Sequence, residues 1–141
     1  RVVQLGLTKL DGRGALLILL DADKECPAHL VQQFLPRAQA VAGTIPVKMI
    51  FANPEYETWF LAGIRSLAGQ RGIVDNPERP AQPESIRGAK EYLRRIMVPG
   101  ATYPETVDQP ALTALLDLTE ARQHAPSLDK LWRDVEALCR P

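Results

Sequence analysis

Ala15-Leu16-Leu17-Ile18-Leu19-Leu20-Asp21-Ala22-Asp23 is the stretch on which the fold turns. Six apolar residues in a row, entered through Gly12 and Gly14 and stopped by Asp21, predict a strand buried on both faces, the pattern of a central parallel strand. The period then changes. From Pro27 onward, Leu30, Val31, Phe34, Leu35, Ala38 and Val41 recur at helical spacing, with Pro27 in the first turn and Gly43 as the stop. Pro46 to Ala52 is a second apolar run, so strand, helix and strand succeed one another as a βαβ unit, whose crossover is right-handed in nearly all proteins. Asn53 and Pro54 predict the N-cap and first residue of a helix from Glu55 to about Leu67, with Gly69 as its stop.

Residues 69–83 hold three prolines and two glycines with little apolar material, which predicts a mobile surface loop. Beyond it the pattern is helical, over Glu84–Met97, Asp108 to about Ala125, and Ser127–Cys139. In the last of these Leu128, Leu131, Trp132, Val135 and Leu138 form one stripe, with Ser127 as the expected cap. The expected organisation is an α/β core over 1–68, a loop over 69–83, and a helical extension over 84–141 packed on that core.

Composition narrows the function classes. A chain of 141 residues has room for one domain. Seventeen basic residues balance seventeen acidic ones, so no overall basic character announces nucleic acid, although a local patch can still bind it. The apolar run Ala15–Leu20 is far short of the ~20 residues that span a bilayer. Two cysteines, Cys26 and Cys139, without a CxxC pair point to a thiol-reducing, cytoplasmic setting and away from zinc. The chain opens on Arg1 rather than Met, and Arg1–Gly14 lacks the layout of a signal peptide, so an upstream segment of the natural protein is expected.

Asp21 and Asp23 stand where the first clear strand ends, the carboxyl edge at which open α/β sheets bind ligands. Two carboxylates one residue apart can converge on Mg²⁺ or Mn²⁺; equally, Asp21 can end the strand and Asp23 cap the next helix. Glu55 and Glu57 fall in the first turn of the following helix, where negative charge meets the positive dipole end. On a helical wheel Glu57 lies beside the apolar stripe of Tyr56, Phe60, Gly63 and Leu67, whereas Glu55 points away from it. Glu57 is therefore expected to face inward or along the sheet edge and, if the two strands are neighbours, to come near Asp21 and Asp23, a crowding of acids that a cation would relieve. Lys90 projects among Ile86, Ala89, Leu93 and Met97, either to snorkel to the rim or to pair with carboxylates and phosphate in a cleft. Asp108 is expected as an N-cap. His29 and His124 have no Ser or Cys companion at a triad spacing, and neither GxGxxG nor GxxxxGK[ST] occurs.

Read together, Leu16–Asp23, Asn53-Pro54-Glu55-Tyr56-Glu57-Thr58-Trp59-Phe60, Lys90, Tyr103–Gln109 and Ser127–Trp132 resemble a bacterial family of unknown function with a Toprim-type domain, the domain-of-unknown-function 4276 type. The resemblance implies a Toprim-like (Rossmann-like) α/β fold, a mostly parallel sheet flanked by helices, with a C-terminal helical extension. It also implies Mg²⁺ or Mn²⁺ bound by a DxD pair and a glutamate, as in topoisomerases, primases and nucleases of overcoming-lysogenization-defect type. Asp21 and Asp23 match the DxD. Toprim domains carry a further glutamate after their first strand; no such strand precedes Ala15, and the expected upstream segment would supply it. The implied activity is metal-dependent phosphodiester cleavage, with Asp21, Asp23 and Glu57 on the metal and Lys90 facing phosphate. The implied partners are nucleic acid, DNA ahead of RNA, and an ATPase acting with the chain in anti-phage defence. Two rivals stand beside this reading. One is a degenerate Toprim module that docks on an ATPase without catalysis; the other is a metal-dependent nucleotide-sugar transferase, which also places DxD after an apolar strand.

Overall fold

The computed structural model describes residues 1–140, so Pro141, the last residue of the expected helical extension, lies outside them. Strand β1 (Leu16–Asp21) and strand β2 (Val47–Ala52) pair in parallel, with Leu16 opposite Val47 and Asp21 opposite Ala52. This register brings the two carboxyl ends level, and the chain leaving each one builds the same edge. Helix α1 (Val2–Leu10) precedes β1, and helix α2 (Pro27–Ala42) makes the crossover between the strands. After β2 come α3 (Glu57–Ala62), α4 (Ala89–Arg95), α5 (Glu105–Leu115), α6 (Leu118–Ala121) and α7 (Pro126–Cys139). The architecture is α/β and Rossmann-like, with helices on both sides of β2.

The alternation of β2 sorts its side chains between two apolar clusters. Val47, Met49 and Phe51 join Ala38 and Ala42 of α2, with Val3 and Leu7 of α1 packed alongside. Ile50 and Ala52 face the larger cluster, which holds Trp59, Phe60, Leu61, Ile64, Leu93, Leu112 and Leu128. The late helices thus share one core with β2 and α3. No helix is long and apolar enough to cross a membrane among the described residues.

Several expectations need correction. The run Leu16–Leu20 is not buried on both faces: Leu17 is 42% exposed, Leu19 36% and Leu20 49%. Among the described residues β1 pairs with β2 alone, so the doubly buried strand is β2. Asn53 does not cap a helix. Its amide side chain donates to Glu84 Oε2 at 3.2 Å, the Asn53–Pro54 bond is cis, and α3 begins only at Glu57. The 69–83 segment is anchored rather than loose: Ile73 is buried and bridges to Met97, Arg71 pairs with Asp108, and Arg79 with Glu120. Apolar and charged anchors spaced irregularly along a loop leave no periodicity to read. The helix expected over Glu84–Met97 is a short 3₁₀ turn, Pro83–Ser85, then α4, separated by Gly88 at φ 75°. Asp108 and Ser127 lie inside α5 and α7, facing the interior, instead of capping them. Asp117 is a true cap, accepting from the backbone N–H groups of Thr119 and Glu120 at 2.9 and 3.0 Å.

Candidate active site

Asp21 sits at the last position of β1, and its Oδ1 accepts the backbone N–H of Tyr56 at 2.9 Å. One carboxylate thereby ties the end of β1 to the turn that starts α3. The next residues are fastened to the same turn: Ala22 N–H donates to Ala52 O at 2.9 Å and Asp23 N–H to Pro54 O at 2.7 Å. Asp23 has φ 54°, a left-handed conformation that aspartate tolerates better than most side chains. Helix α2 starts after Cys26 with no side-chain cap, so Asp23 does not serve as one. Arg87 Nη1 closes the rim by donating to Asp23 O at 2.9 Å.

These residues line a cavity of about 630 Å³ whose walls include Asp21, Asp23, Glu55, Lys24 and Arg87. Glu55, which the helical wheel directs away from the site, belongs to that wall because α3 starts two residues later than expected. Its Oε1 accepts the backbone N–H of Lys90 at 3.1 Å, in the first turn of α4.

Glu57, at the first position of α3, is fully buried. Its Oε1 accepts the Tyr103 hydroxyl at 2.8 Å and the Gln109 side-chain amide at 3.2 Å. Its Oε2 is buried without a hydrogen-bond partner among the described residues. A buried carboxylate oxygen left bare is costly, and a water or an ion would relieve it. Among the described residues no group of three His, Cys, Asp or Glu side chains could hold a metal ion as it stands, so the three expected acids are not gathered at one point. The donor chemistry still suits a hard cation: Mg²⁺ keeps several waters and is commonly held by only one or two carboxylates.

The fields in the site agree with this geometry. Burial raises the pKa of Asp21, the Tyr56 hydrogen bond opposes it, and the charge of Glu57 raises it further, ahead of the smaller contribution from Asp23. Lys90 donates from Nζ to Glu105 at 3.1 Å, at the start of α5, and has no side-chain hydrogen bond to Asp21, Asp23 or Glu57 among the described residues. Burial would pull its pKa down, but the Glu105 hydrogen bond with the charges of Glu57, Glu105 and Glu55 more than offsets that, leaving it raised. Tyr103 is pushed far above an ordinary phenol, first by burial and then by its bond to Glu57. Of the three arginines near Lys90, Arg87 faces the cavity, Arg94 pairs with Glu91, and Arg95 stacks on Tyr92.

Sequence reasoning missed Tyr103 and Gln109 as partners of Glu57. They lie 46 and 52 residues away along the chain, and no local spacing signals the contact.

Fold and site together define a Rossmann-like α/β domain with an acid-lined cleft at the carboxyl edge of its parallel strands. The chain belongs to the family described as domain of unknown function (DUF4276), which matches residues 4–136. No curated protein and no solved structure matches it.

Proposed function

We propose that the chain is a Toprim-type domain that cleaves phosphodiesters with the help of Mg²⁺ or Mn²⁺, acting on nucleic acid, DNA ahead of RNA, in the cytoplasm. The observation that carries the reading is the fully buried Glu57, whose Oε2 has no partner among the described residues, next in sequence to Tyr56, whose backbone N–H Asp21 accepts; Asp21 and Asp23 both line the cleft. The residues that would hold the cation are Asp21 and Glu57, with Asp23 on the open side. A divalent cation at this place supplies neutralisation of phosphate charge and a more acidic bound water. Lys90, held by Glu105, would exchange that partner for a phosphate oxygen. Arg87 at the rim would steady the flanking backbone, for which positioning and charge are the main requirements. An ATPase partner and a role in defence against phage extend the same reading, on the resemblance alone.

The test is nicking of supercoiled plasmid by the purified chain with Mg²⁺ or Mn²⁺. Nicking is expected to vanish with chelator and in the double variant Asp21→Ala, Asp23→Ala; metal-dependent nicking that survives the double variant rejects the assignment. A second reading, an interaction module without catalysis, is favoured by the apolar Leu17, Leu19 and Leu20 exposed along β1. Metal-independent binding to an ATPase with no hydrolysis would select it.

A further inference from the structure

The two oxygens of Glu57 are treated differently by the fold. Oε1 receives both available donors, Tyr103 from the link before α5 and Gln109 from α5 itself, while Oε2 receives none. Were these donors present only to satisfy a buried acid, sharing them between the oxygens would leave neither bare. Placing both on one oxygen instead fixes a side chain with three rotatable bonds and leaves a single atom free.

We propose that Tyr103 and Gln109 are positioning residues that hold Glu57 by Oε1 so that Oε2 is presented to a divalent cation shared with Asp21. The proposal rests on the metal reading above and assigns its ligand atom and supports. Tyr103 is 5% exposed, so its ring has no room to swing away from its 2.8 Å hydrogen bond to Oε1. Lys90 gives its hydrogen bond to Glu105 and leaves Oε2 free. Residues that orient a metal ligand typically change metal affinity by about 10–100-fold when removed.

The experiment titrates Mn²⁺ into the chain and reads free Mn²⁺ by electron paramagnetic resonance, with thermal melts of every variant. Wild type is expected to bind one Mn²⁺, and Asp21→Asn and Glu57→Gln to lose it by tenfold or more. Tyr103→Phe should weaken binding about tenfold. In the Glu57→Gln background it should change affinity no further, because its effect passes through Glu57. Gln109→Leu repeats both arms should Tyr103→Phe not fold. An unchanged affinity in Tyr103→Phe and Gln109→Leu, or an equal loss whether or not Glu57 is intact, overturns the positioning role while leaving the metal reading in place. Wild type that binds no Mn²⁺ overturns both.

Discussion

Replacing Ser127 with alanine removes one hydroxyl from the point where α7 meets the end of β2, and the structure sets the size of the effect. Ser127 Oγ accepts the indole N–H of Trp59 at 2.8 Å and the backbone N–H of Asn53 at 3.4 Å. Trp59 is 2% exposed and Ser127 8%, so water cannot replace the lost acceptor for the indole. A buried donor left without a partner costs about 1–3 kcal/mol. The Asn53 bond is longer and only partly buried, and adds a few tenths at most. Alanine suits the first turn of a helix, and the bond from Ser127 N–H to Glu84 Oε1 at 2.7 Å survives the change. The net expectation is a loss of about 2 kcal/mol, or a drop in Tm of about 6–10 °C for a chain of this size. Urea unfolding followed by circular dichroism measures it, and a cycle with Trp59→Phe isolates the pair, with an expected coupling of about 1 kcal/mol or more. A loss below about 0.5 kcal/mol, or two variants whose effects simply add, would refute the reasoning.

Three further perturbations follow from the same core and surface. Gly63→Ala places a Cβ 2.6 Å from Leu116 Cδ1 and 3.0 Å from Ala121 Cβ, at a φ of −105° that alanine adopts freely. The cost is pure overpacking, about 1–3 kcal/mol, and a melt equal to wild type would show the α3–α6 contact to be slack. Leu93→Ala, in the buried face of α4, should cost about 2–5 kcal/mol by denaturant titration, and a smaller loss would mean that the larger cluster collapses into the gap. The Asp129 carboxyl is held below its usual pKa by the Arg122 hydrogen bond, against an opposing effect of burial and with further help from Arg133. A lowered folded-state pKa contributes stability above the unfolded value of 3.8, and that contribution is lost as pH falls through the folded value. Asp129→Asn should therefore be slightly less stable than wild type near neutrality and equal to it in strong acid; a gap that stays constant with pH would contradict the pairing.

How legible this fold was depends on which forces act locally. Both strands and the crossover helix were readable because a continuous apolar run and a helical stripe are properties of neighbouring residues. The burial of β1 was not, since six apolar residues in a row cannot say how many strands will flank them. The α3 start was misplaced because Asn53-Pro54 has the composition of a cap, while the fold uses Asn53 to reach Glu84. Asp21 and Asp23 stood out by their place at a strand end, yet Asp21 caps the α3 turn from across the sheet rather than continuing its own chain. Of the two directions open to Glu57, inward or along the sheet edge, the fold buries it, but its donors come from another part of the chain, and only packing reveals them.

The account stands on a cation held between Asp21 and Glu57. Crystals of the chain soaked in Mn²⁺ and measured at the manganese absorption edge test that directly. The predicted result is an anomalous difference peak bounded by a carboxylate oxygen of Asp21 and by Glu57 Oε2, absent in Glu57→Gln crystals. A map with no peak there, or a peak that persists unchanged without the Glu57 carboxylate, would contradict it.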